Sequence, residues 1–153
     1  MIARLAAIVL VTGCTTIGSE PLFPETVIPD AAVDAIPLAP TFESLRENVF
    51  QPRCAAACHG VVQPAGSMDL AVDPYDELVN VPAMGPQCGG TEWIRVVPGD
   101  PDGSLLYQKV LAKTRGLDAP CGDAMPQGSR EAPLSGADVD AIHDWIAAGA
   151  PMN

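Results

Sequence analysis

Prolines interrupt this chain at intervals too short for long helices, and glycines lie between many of them: sixteen of the first and fourteen of the second stand among 153 residues. A proline inside a helix removes a hydrogen bond and presses its ring on the preceding turn, and inside a sheet it removes a ladder bond. Such a chain builds short helices joined by turns, with strands nearly absent. The fold class it predicts is mainly α: a small helical domain with long loops that needs a staple or a bound group to fill its middle.

Punctuation is densest in residues 15–40, which carry five prolines and neither lysine nor arginine. That segment reads as a tether, reaching up to roughly 80 Å at about 3.1 Å per residue if semi-extended. Ahead of it, Arg4 gives a minimal positive start and Leu5 to Val11 a short apolar run, the layout of an export signal and too short to span a bilayer. Val11-Thr12-Gly13-Cys14 resembles a bacterial lipobox. The resemblance implies cleavage before Cys14 and lipidation of that residue, and Thr15 in place of an acidic residue implies sorting to the outer membrane. A plain secretory signal with an incidental cysteine is the alternative. The expected organisation is a lipoprotein signal peptide at 1–13, a lipidated cysteine and proline-rich linker at 14–40, and a domain at 41–153. The expected location is the periplasmic side of the cell envelope.

Within the domain, Thr41 caps a run in which Phe42, Leu45, Val49 and Phe50 recur at helical spacing, and Pro52 predicts its end at about Gln51. Cys54 to His59 then make a short helical turn released by Gly60. A weaker helix is expected from Asp73-Pro74 through Val79, and a third from Asp100-Pro101 through Leu111. Between them Trp93 to Pro98 is an extended apolar run. The clearest helix is the last, with Ser135 and Asp138 in a capping-box pattern, Val139, Ile142, Trp145 and Ile146 on one face, and Gly149 placed to stop it. Asp138, Asp140 and Asp144 read as its wet face.

Acidic residues outnumber basic ones 19 to 8. Without a cationic run to displace counterions from phosphate, nucleic acid is not an expected partner, and a basic or redox-active one is. Outside the cytoplasm thiols are oxidised or consumed by a cofactor. Beyond Cys14 the chain holds Cys54, Cys58, Cys88 and Cys121. Four cysteines allow three pairings, and spacing does not choose among them.

Residues 53–60 read R-C-A-A-A-C-H-G. A histidine directly after the second of two close cysteines is the pattern of covalent haem attachment, here with three residues between the cysteines instead of two. On a helix, cysteines three apart differ by about 60° and cysteines four apart by about 40° in the opposite sense, so both spacings keep two sulfurs on one face. Ala55, Ala56 and Ala57 offer small side chains for the close approach of a flat ring. A second axial ligand would come from Met68, Met84, Met125, Met152 or His143. Met68 and Met84 follow His59 too closely to travel round a ring, whereas Met125 sits in a distant loop stiffened by Pro126 and is the best candidate.

The chain resembles class I c-type cytochromes, and more closely the cytochrome c-like domains of bacterial exported proteins. The shared blocks are V-F-x-x-x-C…C-H-G, then R-V-V-P-G-D-P-D-G-S-L-L-Y-x-K, then M-P-x-G, then L-S-x-x-x-V-x-x-I-x-x-W-I-x-x-G-A-P, in the same order over residues 42–153. The resemblance implies a small cytochrome c-like helical domain, one covalent haem c (iron) on Cys54 and Cys58, His59 and Met125 as axial ligands, and electron transfer to a redox protein partner, not enzymatic turnover. The third alanine between the cysteines departs from the family pattern. Phe50, Leu70, Leu106, Val110, Ile142 and Trp145 are the expected apolar surroundings of the iron. Cys88 and Cys121, each beside a glycine in a loop, are read as a disulfide that contributes roughly 3 to 4 kcal/mol. The rival reading is a haemless, disulfide-stapled interaction module in which Cys54 pairs with Cys58. A peroxidase-like enzyme is weaker, since it needs a further catalytic group that the sequence does not offer, and a four-cysteine zinc site lacks close ligand pairs.

Overall fold

A computed structural model of the chain describes residues 37–56, 58–129 and 131–153. The expected signal peptide, the lipidation site Cys14 and the linker up to residue 36 lie outside the described residues, as does Ala57. None of the helices among the described residues is long and apolar enough to cross a membrane.

The first helix, α1 (Phe42–Leu45), starts where Thr41 Oγ1 accepts from the Ser44 amide at 3.3 Å. It does not stop at Gln51 as Pro52 predicts. The backbone continues as a wide, π-helical winding over Arg46–Ala55 with Pro52 inside it. An α-helix excludes proline because the ring meets the carbonyl four residues back; in an i→i+5 winding that carbonyl moves off the hydrogen-bond line, and the ring is accommodated. Phe42, Leu45, Val49, Phe50 and Ala55 are buried along this stretch.

A short 3₁₀ turn (Ala65–Ser67) leads to α2 (Pro74–Leu78), which has proline in its first turn as expected, although Asp73 makes no side-chain capping bond. The next helix begins later than Asp100-Pro101 suggests: α3 spans Leu105–Arg115 and ends where Gly116 turns left-handed at φ 66°. The Asp100 carboxylate instead accepts from the Gly103 amide at 2.9 Å, a local side-chain turn that competes with helix. The last helix, α4 (Gly136–Ala147), carries the full capping box between Ser135 and Asp138. Trp93 to Pro98 runs extended but pairs only through isolated bridges, Val79 with Val96, Pro82 with Ile94, Ile94 with Ser104 and Val97 with Asp100. The domain is mainly α.

Helix α4 packs on α1 and α3 and supplies the centre of the core, with Ile142, Trp145 and Ile146 at 0% exposure. Around Trp145 stand Phe42, whose ring centroid is 5.8 Å away, and Phe50 at 6.2 Å; Tyr75 meets Phe42 edge-on at 5.0 Å. Polar ends are satisfied, since Trp145 Nε1 donates to the Pro151 carbonyl at 2.9 Å and the Tyr75 hydroxyl to the Ala150 carbonyl at 3.0 Å. The same core takes in Leu38, so the last part of the expected linker already belongs to the domain. A second, smaller cluster joins Ala83, Cys88 and Leu105 to Trp93 and Cys121. It is stapled by the disulfide between Cys88 and Cys121, which confirms that expected pairing.

This packing sets a scale. Trp145→Ala is expected to cost about 3–5 kcal/mol, and Ser135→Ala, which removes one capping bond, about 1 kcal/mol. Urea unfolding followed by far-UV circular dichroism measures both, and equal losses would contradict the placement of Trp145 at the centre.

Candidate functional site

The wide winding that carries Pro52 past the α-helical limit also sets the geometry of Cys54, Cys58 and His59. The Cys54 carbonyl accepts from the Cys58 amide at 3.3 Å and from the His59 amide at 2.9 Å, the second being an i→i+5 bond. A turn wound this way holds one residue more than an α-turn. Cys54 lies in the last turn of that winding, and Cys58 and His59 follow just beyond its end at Ala55. Gly60 allows the chain to leave: a Cβ there would lie 2.9 Å from the Ala55 carbonyl oxygen, closer than van der Waals contact allows.

Beyond Gly60 the chain folds back on the motif. The Ala65 amide donates to the Cys58 carbonyl at 2.9 Å, and the Leu70 amide to the His59 carbonyl at 2.7 Å. The same loop presents the Ala65 carbonyl 2.8 Å from Nδ1 of His59. A carbonyl can only accept, so Nδ1 carries the proton and Nε2 keeps its lone pair. Among the described residues Nε2 has no hydrogen-bond partner, yet no buried side-chain nitrogen is left unsatisfied, which means that it opens onto free space. Burial pushes the His59 pKa below the usual histidine value; the backbone groups of Ala65 and Met68 oppose that shift, and the charges of Arg95 and Lys109 add to it. The ring is a neutral imidazole at neutral pH, the form that binds a metal.

The space it opens onto is a cavity of about 470 Å³ whose walls include Cys54, Cys58, His59 and Met125, within the roughly 300–1,000 Å³ common to small-molecule and cofactor sites. Residues separated by most of the domain's length thus meet at one hole. Leu70, Leu78, Leu105, Leu106, Val110 and Leu134 give it an apolar lining. Three of the six residues expected around an iron are among its walls. The other three, Phe50, Ile142 and Trp145, are not: they form the aromatic core instead. Ala55 and Ala56 are not among its walls either; they line an outer groove together with Val61, Val62 and Cys58. Cys58 alone is shared by the two openings.

Three methionines reach the cavity, not one. Met68 and Met84, set aside on reach, line it along with Met125. Their settings differ. The Met68 backbone lies against the His59 ring, which ties that residue to the histidine side, and Met84 is 60% exposed. Met125 is half-buried against the core on a loop gripped by α3. Lys109 Nζ donates to the Cys121 carbonyl at 2.6 Å and the Asp123 carbonyl at 2.8 Å, while the Met125 amide donates to the Lys109 carbonyl at 3.0 Å. The disulfide pins the start of the same loop. His143 is absent from the cavity walls; it is half-exposed on α4, paired with Asp144 at 2.9 Å and set against Tyr107.

Cys54 and Cys58 are free thiols, without the bridge that the rival reading requires. Burial pushes the Cys54 thiol up to about 11, with the Cys58 charge adding and Arg53 opposing; Cys58 is exposed. Sequence reading missed Arg95, Lys109 and the Ala65 carbonyl. The lone arginine inside the apolar run Trp93-Ile-Arg-Val-Val was a usable signal for the first, whereas a backbone acceptor has none. No group of three or more histidine, cysteine or acidic side chains gathers as a metal cage among the described residues. A haem iron needs none, since its porphyrin supplies four ligands and the protein only the axial pair. The residues present fit such a group: two thiols on one turn, an imidazole with a fixed tautomer, a thioether on another loop, and an apolar cavity between.

No family model matches the chain, and no curated protein or solved structure matches it either.

In protein carrying no adduct on these cysteines, iodoacetamide at about pH 8 is expected to modify Cys58 at least about tenfold faster than Cys54, as the exposure of Cys58 and the burial and raised pKa of Cys54 dictate. Peptide mass mapping reads the two rates, and equal rates would contradict the burial of Cys54.

Proposed function

We propose that this chain is an electron carrier of the cell envelope, holding one haem c through thioether bonds from Cys54 and Cys58, with His59 and Met125 as axial ligands. The observation that carries this reading is the convergence of those four side chains on one apolar cavity of about 470 Å³. Bound there, the group would supply reversible one-electron chemistry at iron.

The chain's own residues account for the rest. His59 offers Nε2 because Ala65 holds the proton on Nδ1, and such outer partners orient a ligating imidazole and raise its basicity. Met125 brings a soft sulfur, which favours the reduced iron, on a loop held by Lys109 and the disulfide. The leucines and Val110 keep water away. His59 and Met125 would both be engaged in holding the group, which would leave no place on it for a small substrate, and the reading is therefore a carrier and not an enzyme.

The lipobox at Val11 to Cys14 and the proline-rich tether support lipid anchoring, on the periplasmic side and at the outer membrane, with the domain standing off the bilayer. A redox protein is the proposed partner, reached while the lipid holds the chain to the membrane; no nucleic acid is involved.

Expressed in a host that matures C-x-x-x-C-H sites, the protein is expected to show a Soret band that stays with the chain under denaturing, reducing electrophoresis, with the mass of one haem added. A colourless chain from that host, with Cys54 and Cys58 oxidised to each other, would select the haemless interaction module. In the coloured protein Met125→Ala is expected to lower the reduction potential and admit carbon monoxide, while Met68→Ala and Met84→Ala leave the spectrum unchanged. A carbon-monoxide-reactive Met68→Ala or Met84→Ala with a silent Met125→Ala would move the axial role.

A further inference from the structure

Arg95 is 6% exposed, the only buried side chain with a permanent charge among the described residues. Burying a cation is expensive unless every donor is occupied and a counter-charge is near. Here Nη1 donates to the Glu77 carboxylate at 3.0 Å and to the Glu77 carbonyl at 2.7 Å. Nη2 donates to the carbonyls of Gly66 at 3.0 Å and Ser67 at 3.1 Å. Three of the four acceptors are backbone carbonyls, and two of those belong to the turn that begins at Ala65.

That turn is not relaxed. Ser67 within it and Gln63 just before it both stand at φ 52°, and Gly66 at 65°; a left-handed residue other than glycine costs about 1–2 kcal/mol. Something outside the turn must hold it there. Arg95 reaches it from 28 and 29 residues away in sequence, and its own backbone is fixed on both sides. Its amide donates to the Val81 carbonyl at 2.8 Å, and its carbonyl accepts from Leu106 at 2.9 Å. A planar fork reaches these four acceptors, spread over two segments, from two separate nitrogens; a lysine presents three donors from a single point.

We propose that Arg95 is a positioning residue for His59: by holding the Gly66 and Ser67 carbonyls it sets the Ala65 carbonyl against Nδ1, and so keeps the imidazole turned with Nε2 toward the cavity. Its purpose rests on the haem reading; its geometry does not. The route runs through three links: guanidinium to turn by the two hydrogen bonds above, turn to Ala65 carbonyl through the peptide bond that joins Ala65 to Gly66, and carbonyl to imidazole at 2.8 Å. Glu77 completes it by balancing the charge.

The test compares full-length protein, coloured or colourless as purified, with Arg95→Lys, which keeps the charge and loses the fork. The readout is the solvent exchange of the His59 Nδ1 proton, followed by long-range proton–nitrogen NMR in the reduced state. The Trp145 indole proton, bonded to Pro151 in the core, is the internal reference. R95K is expected to speed exchange at His59 at least tenfold while the indole rate stays within twofold. An unchanged His59 rate overturns the proposal, and so does an equal acceleration at both protons, which is general loosening. Should R95K fail to fold, the unaltered chain is taken through low urea: loss of the Arg95 guanidinium and His59 Nδ1 signals at one urea concentration supports the link, and persistence of the His59 signal after the guanidinium has freed itself overturns it. Colour is scored separately, so a colourless chain sinks the haem reading and leaves the exchange result standing.

Discussion

Trp145, with Phe42, Phe50 and Tyr75 packed around it, carries this fold, because the helices are too short to hold a core by themselves and the other flank of the domain is a hole. Aromatic side chains bury large areas, and their edge-to-face contacts add about 0.5–1.5 kcal/mol each beyond the area term. Closely packed rings on one side let the chain tolerate a cavity bordered by buried leucines on the other. The C-terminal segment completes the arrangement: the Asn153 carbonyl accepts from the Glu43 amide at 3.0 Å and its side chain from the Phe42 amide at 3.2 Å, which covers donors at the start of α1. Cavity and core therefore share a boundary, with Leu70 and Val110 belonging to both.

The first of the two close cysteines, Cys54, sits near the end of the wide winding of Arg46–Ala55. A sequence reader counts residues along an assumed α-helix and sees a site out of register. The backbone instead changes its number of residues per turn over a stretch that takes in Cys54. Wide turns of this kind concentrate at functional positions, since they persist only where something outweighs their poorer hydrogen bonding. The Cys54 carbonyl, accepting from two amides at once, is the visible trace of that compromise.

Much of this was legible beforehand, and the failures have causes. The cap of α4 and its buried face followed from Ser135, Asp138 and the spacing of Val139, Ile142, Trp145 and Ile146, all local signals. The pairing of Cys88 with Cys121 was read from their loop settings. The end of the first helix was misplaced because the rule about proline assumes α geometry, and Pro52 sits in another kind of turn. The start of α3 was misplaced because the same aspartate can cap a helix or close a turn, and Asp100 does the latter. In the site, side-chain identities pointed to Cys54, Cys58, His59 and Met125. Which apolar residues stand in the wall and which in the core depends on tertiary packing, so Phe50, Ile142 and Trp145 were assigned to the wrong one. Arg95 was invisible for a related reason: its partners are carbonyls, which every residue has.

Consider finally what holds the Met125 loop. One fastening is the Lys109 ammonium on two carbonyls, which any medium permits; the other is a sulfur–sulfur bond, which only an oxidising one does. The aromatic core contains no cysteine bridge and is indifferent to the difference. The shape of the cavity on the methionine side is thus tied to the compartment in which the chain matures, while the architecture behind it is not. A copy kept among reducing thiols would own the same skeleton and a slacker jaw.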